Sequence, residues 1–223
     1  VIELARGHGA LVHSDAVQAA GKVPIDFASS GLDLMSVSAH KIGGSTGVGA
    51  LLARDGVPLG PQMTGGGQER GRRSGTENLP GVASFGAAAE CAGAALLASG
   101  GSLGGIAELR DGFEAGIGAA VFGARILCQE VDRLPNTSCI VMAGVAAETQ
   151  VMAFDLEGIA VSAGSACSSG KVKRSHVIEA MEPGGEAAAN SIRVSLGWLN
   201  TVEEVDYLVA AWCKLYKRAG GGS

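Results

Sequence analysis

Five short segments carry side chains that can do chemistry. The first is Ser38-Ala39-His40-Lys41, followed by Gly43-Gly44. A lysine at the end of an apolar strand, against a glycine turn, is placed to lose its water. Desolvation disfavours the ammonium and makes the amine a nucleophile. The plain alternative is a solvated loop lysine, the usual state of a lone Lys. Asp15 closes the preceding strand, with Gln18 three residues on. A carboxylate at the C-terminal edge of an α/β sheet lies where ligands bind, and it can partner a protonated ring nitrogen. It serves equally well as an N-cap for a helix over 17–21.

Cys167 lies in Ser162-Ala163-Gly164-Ser165-Ala166-Cys167-Ser168-Ser169-Gly170, with no bulky apolar neighbour. Structural cysteines sit in apolar runs, so this one reads as exposed on a mobile loop. Lys171, Lys173 and Arg174 follow, and their positive field favours thiolate. A flexible linker that happens to contain Cys is the alternative. Cys91, Cys128, Cys139 and Cys213 read as small core hydrophobes. Arg193 interrupts an apolar strand, NSIRVSLG, and needs a partner. That partner is either a bidentate carboxylate ligand or an acid within the fold. Finally, Thr64 to Gly75 reads TGGGQERGRRSG. With Thr76, Arg70, Arg72, Arg73 and Ser74 suit a phosphate, a solvated loop or a docking surface.

The elements that must position these groups follow from pattern. Strands are expected at 10–15, 32–38 and 47–53, the last so apolar that both its faces should be buried. Residues 78–98 should form a helix; it is rich in Ala and Gly and contains Glu90, which points to a packed helix rather than a membrane span. Val1 to Gly7 reads as the end of a helix. Ile106, Leu109, Phe113, Ile117 and Val121 fall at spacings of three and four, the mark of an amphipathic helix. Strands at 125–130 and 137–142 come next, then a helix over 147–157 closed by Gly158. A short strand over 159–162, a helical turn at 176–181 and a strand at 191–195 precede the last helix. In that helix Thr201 and Glu204 have capping-box spacing, and Val205, Leu208, Val209, Trp212, Leu215 and Tyr216 share one face. Alternating strands and helices give an α/β class. The glycine-rich stretch after Ser99 marks a boundary, dividing 1–98 from 99–219; the tail 220–223 stands apart.

Composition sets outer limits. The 223 residues are 47% hydrophobic and 17% charged, which is globular. A net charge of −5 gives no nucleic-acid footprint. Five cysteines with no CxxC pair suit reduced thiols in a cytoplasmic protein, and nothing points to a membrane.

Taken in order, Asp15-x-x-Gln18, Ser38-x-His40-Lys41, GGGQERGRRSGT, SAGSACSSG and SIRVSLG resemble the motif series of the cysteine desulfurases. These NifS/IscS-like proteins are fold-type-I pyridoxal-phosphate enzymes of the class V aminotransferase group. The resemblance implies a large cofactor-binding domain with a mainly parallel sheet, then a small α+β domain carrying the Cys loop. Pyridoxal 5'-phosphate would be held by Lys41 as a Schiff base, by Asp15 at the ring nitrogen, by Gln18 at the ring hydroxyl, and by Ser38 and His40 at the phosphate. Thr76 would reach the phosphate of a neighbouring subunit, implying a homodimer. Arg193 would clamp the carboxylate of L-cysteine. Lys41, with His40 as a further candidate, would move protons, and Cys167 would take the sulfur as a persulfide. An acceptor or iron–sulfur scaffold protein would receive it, with Cys167 as a transient cluster ligand. The Gly-Thr-Glu-Ser-type phosphate loop, the stacking His and an Asn of the family are expected upstream of Val1. Gly44-Ser45-Thr46 departs from the family's Gly-Pro turn. A selenocysteine or cystine lyase, or a non-catalytic docking piece of this fold, are the alternatives.

Overall fold

The computed structural model describes residues 1–101, 105–121, 124–164 and 174–220. The chain divides into two compact units, Val1–Gly104 and Gly105–Ser223.

The first unit opens with helix α1, Ile2–Gly7. Strands β1 (His13–Asp15), β2 (Leu34–Ser38) and β3 (Gly49–Ala53) form one sheet in that order. β1 and β2 run parallel with Asp15 opposite Ser36, while β3 is antiparallel to β2 with Gly49 opposite Ser38. A short helix α2, Phe27–Ser30, is capped by the Asp26 side chain and links the parallel pair. The long helix α3 spans Leu79–Ala98, its first turn capped by Asn78, whose side-chain oxygen accepts from the Gly81 N–H.

Two expectations fail in this unit. Residues Gly49, Ala50 and Leu51 of β3 are exposed, although its composition suits burial on both faces. β3 pairs only with β2 among the described residues, so it is an edge strand, and only Leu52 and Ala53 are half-buried. Helix α3 is likewise exposed, with Gly81 its one buried residue. It is long and apolar enough to cross a membrane by length and composition alone. The described residues of the unit supply little for it to pack against, and Leu79, Val82 and Leu97 stay exposed.

The second unit is built differently. Helix α4 (Ile106–Ala120) precedes β4 (Arg125–Leu127) and β5 (Thr137–Val141). Helix α5 (Ala147–Leu156) ends at a turn where Gly158 takes φ +74, the left-handed value its position requires. Then come β6 (Ser162–Ala163), α6 (His176–Met181), α7 (Ala187–Asn190), β7 (Ser191–Ser195) and α8 (Val202–Arg218). The sheet order is β4-β5-β7-β6, all antiparallel. Alternation sends Ile140, Ile192 and Val194 to one face, where they join Phe113 and Ile117 of α4, Phe154 of α5, and Val205, Leu208 and Trp212 of α8 in one core. The capping box of Thr201 and Glu204 is present at the start of α8. Trp212 stacks on Tyr216 at 5.5 Å between ring centroids.

Among the described residues one charged group, Glu114, is buried in this unit. The Glu114 carboxylate is bound at both oxygens by Arg133, each at 2.6 Å, and accepts from the Ser138 hydroxyl. Burial pushes its proton affinity up, but the Arg133 and Ser138 hydrogen bonds and the arginine charge bring it below the ordinary glutamate range. Of the cysteines read as core residues, Cys139 and Cys213 pack against the core clusters. Cys91 and Cys128 are exposed. Cys91 lies on uncovered α3, and Cys128 follows β4 with φ +59, outside the strand's alternation.

Candidate functional site

The parallel pairing of β1 and β2 puts their C-terminal ends at one sheet edge. Asp15 is the last residue of β1 and Ser38 the last of β2, so both open onto that edge. This is where α/β sheets bind ligands. Beyond Ser38 the chain makes a tight turn, Ala39–Lys41. The turn is fixed from three sides. Ala39 N–H donates to Val48, Gly44 N–H returns to Ala39 at 2.9 Å, and the Ser45 hydroxyl donates to Ser84 of α3 at 2.9 Å. Ala39 itself is fully buried. A Cβ on Gly44 would stand 3.0 Å from that of Ala39, so only a minimal residue lets the turn fold back this tightly.

The side chains at the edge are polar and open. Ser38 Oγ and His40 Nδ1 are 2.8 Å apart. Lys41 is exposed and makes no hydrogen bond or ion pair among the described residues. The desolvation expected of Lys41 is therefore absent from this unit. Asp15 accepts the Val17 N–H at 3.0 Å through one oxygen, Oδ1. It thus caps a turn over 17–22 rather than a helix, and Oδ2 has no intramolecular partner among the described residues. The Gln18 side chain is exposed beside it; its backbone carbonyl accepts from the Lys22 ammonium at 2.8 Å. Lys22 carries no signal in sequence beyond its spacing of four from Gln18.

Further along the first unit, the glycine-rich loop folds on itself. Gln68 Oε1 accepts from the Gly75 N–H, Arg73 donates to the Ser74 carbonyl, and Ser74 is buried. Glu69 and Arg70 take φ +49 and +56 in succession. Two consecutive non-glycine residues in the left-handed region are strained, and such strain gathers at functional loops. Thr76, next to this loop, is exposed.

In the second unit Arg193 sits on β7, between β5 and β6, facing away from the core that Ile192 and Val194 enter. It pairs in register with Cys139 and Ser162. The guanidinium is half-buried and has no hydrogen-bond or ion-pair partner among the described residues. Burial pushes the Cys139 thiol up; a hydrogen bond with Ser191 and the Arg193 charge only partly oppose this. Cys139 is therefore a poor thiolate. Cys167, with Lys171 and Lys173, lies outside the described residues. Among the described residues no cluster of three His, Cys, Asp or Glu could hold a metal.

The pattern of the aminotransferase class-V family matches residues 1–208. The chain belongs to this family. Its relatives include a cysteine desulfurase of Cereibacter sphaeroides, 50% identical over 207 residues, which cover 93% of this chain and 52% of that protein. Cysteine desulfurase NifS of Azotobacter vinelandii is 41% identical over 206 residues, 92% of this chain and 50% of that one. Among solved structures, a NifS-like protein from Rickettsia africae superposes with a TM-score of 0.84 at 33% identity, over 97% of this chain and 56% of its own. The chain thus spans about half the length of the curated relatives it matches.

Proposed function

We propose that this chain contributes to a cysteine desulfurase, which converts L-cysteine to L-alanine and leaves the sulfur as a persulfide on Cys167. The observation that carries the reading is the gathering of Asp15, Ser38, His40 and Lys41 at the C-terminal edge of the β1–β2 pair. That donor set fits pyridoxal 5'-phosphate. Asp15 Oδ2 is available for a protonated ring nitrogen, Gln18 for the ring hydroxyl, Ser38 and His40 for the phosphate, and the unpartnered Lys41 amine for the aldehyde. When bound, the cofactor supplies an electron sink for charge developing at the substrate Cα.

The chain's own residues do the rest. Lys41 holds and moves the Cα proton, with His40 within reach of the same edge as a second proton carrier. Arg193 grips the substrate carboxylate; its lack of an internal partner supports that role. The Cys167 thiolate attacks the substrate sulfur. The carbon–sulfur bond breaks, a sulfur–sulfur bond forms, and a proton replaces sulfur on the carbon that becomes the alanine methyl. Thr76 serves the phosphate of a second subunit in a homodimer. The persulfide passes to an acceptor or iron–sulfur scaffold protein in the cytoplasm, with Cys167 as a transient cluster ligand.

Borohydride reduction of the protein mixed with pyridoxal phosphate should fix the cofactor on the peptide containing Lys41, and Lys41→Ala should abolish this. With L-cysteine, Cys167→Ala should lose persulfide and alanine formation yet keep the cofactor's visible absorbance. Persulfide formation surviving Cys167→Ala would instead favour a selenocysteine or cystine lyase. The exposure of Lys41 favours a second reading, a non-catalytic docking piece of this fold. Failure to fix the cofactor at Lys41 would select it.

A further inference from the structure

We infer that Ser162 is a second carboxylate-binding residue: its hydroxyl donates to the same substrate carboxylate that Arg193 grips. The inference rests on the proposed role of Arg193 and names a group that completes its site.

Register places the two side chains together. Ser162 of β6 stands directly opposite Arg193 of β7 in an antiparallel pair. Directly opposed residues share one face of a sheet, with Cβ atoms about 4.5–5.5 Å apart. The next residue of β6, Ala163, pairs with Ile192, and both pack in the main core. Alternation therefore turns Ser162 and Arg193 together to the opposite face.

The two flanks of Arg193 differ. On the β5 side stands Cys139, half-buried against the small cluster of Leu127, Val141 and Ala187. Burial pushes that thiol up, which leaves it a weak neutral donor. On the other side β6 is the edge strand of the sheet, and Ser162 is exposed. Hydrocarbon closes one flank of the guanidinium, and a hydroxyl stands at the open one. Neither Ser162 nor Arg193 has a side-chain hydrogen-bond partner among the described residues, so both donors are available to one ligand.

A carboxylate suits this pair. The planar fork of the guanidinium takes one lone pair from each carboxylate oxygen. Each oxygen keeps another, and a hydroxyl beside the fork donates to it. Two parallel bonds leave the carboxylate free to tilt about the fork. A third donor ends that freedom and fixes the direction in which Cα leaves the site. Ser195 is also exposed, and on the same face, but it lies two residues along β7, ~6.6 Å from Arg193 by the strand rise. It is the natural control.

Titration with L-alanine, followed by NMR at the backbone amides of β6 and β7, tests this without cofactor or turnover. L-Alaninamide, which lacks the carboxylate, is the blank. L-Alanine should shift these resonances, L-alaninamide should not, and Arg193→Gln should abolish the shift. Ser162→Val should weaken the apparent affinity about fivefold, the worth of one solvent-accessible hydrogen bond. Ser162→Thr has the shape of the Val variant but keeps the hydroxyl, and should bind as the unsubstituted chain does; a purely structural role would not separate the two. Ser195→Ala should bind normally. Equal affinity in the Val and Thr variants, or equal weakening in Ser195→Ala, overturns the inference and leaves the role of Arg193 standing. Should Ser162→Val not fold, Ser162→Ala replaces it in the same comparison. No carboxylate-dependent shift in the unsubstituted chain, or a shift that survives Arg193→Gln, overturns the inference together with the role of Arg193. Failure of borohydride fixation at Lys41 would sink the functional reading alone, because L-alanine binding at β6 and β7 does not depend on it.

Discussion

The two units of this chain reach stability by different means. The second buries Phe113, Ile117, Phe154, Ile192 and Trp212 almost completely, drawing them from three helices and a four-stranded sheet into one core. The first buries only Ala16, Met35 and Ala39 among its described apolar residues, and leaves Leu51, Leu79, Val82 and Leu97 exposed. The second unit has its own hydrophobic core. The first is a small three-stranded sheet, a long helix and the turns between them, with much of its apolar surface uncovered. Groups suited to proton chemistry stand on the weakly buried unit, and Arg193, without a partner among the described residues, on the well-packed one. Chemistry needs polar groups open to a ligand, and such groups cannot also fill a core.

The comparison breaks most readily at Trp212. Trp212→Ala should destabilise the second unit by about 3–5 kcal/mol through the cavity it leaves. Both tryptophans, Trp198 and Trp212, lie in that unit, so the remaining Trp198 fluorescence follows its unfolding in denaturant without interference from the first. A loss below about 1 kcal/mol would mean that the core is not the source of its stability.

The buried ion pair sharpens the contrast next. Arg133→Met should cost about 3 kcal/mol, because Glu114 is left buried without its counter-charge. Glu114 is held below the ordinary glutamate value, so its stabilisation is complete above ~4.3 and is lost as pH falls through the lower folded-state value. Acid titration of tryptophan fluorescence should show that loss, and Glu114→Gln should flatten it. The smallest effect belongs to the first unit. Leu51→Ser should change the chain's stability by no more than about 0.5 kcal/mol, measured by hydrogen exchange over β2 and β3. A much larger loss would show that β3 is covered in solution.

Periodic elements were readable in the sequence because their signal is local. Helix α8 declared itself through Thr201, Glu204 and its apolar face, and α4 through Ile106, Phe113 and Ile117; all of these settle as expected. The exposure of β3 and α3 is not legible in sequence for a different reason. An apolar run reports a need for cover but not what provides it. The same gap explains Lys41, whose turn was legible while its solvation was not. Exposed Cys91 and Cys128 misled because a small residue in an apolar context looks the same whether or not that context is covered. Glu114 and Arg133 are separated by a helix end, a strand and a loop, and no local pattern links them.

Strand β7 follows α7 without a connecting residue, Asn190 passing directly to Ser191, and it is flanked by hydrogen-bonded neighbours on both sides. No slack exists there to absorb a change in length. Inserting one residue after Asn190 would rotate the whole strand by one step, turning the guanidinium at position 193 inward among hydrocarbons and driving the Ile192 side chain into water. The placement of Arg193 and the packing of Ile192 would fail together, because a single frame-setting junction governs both.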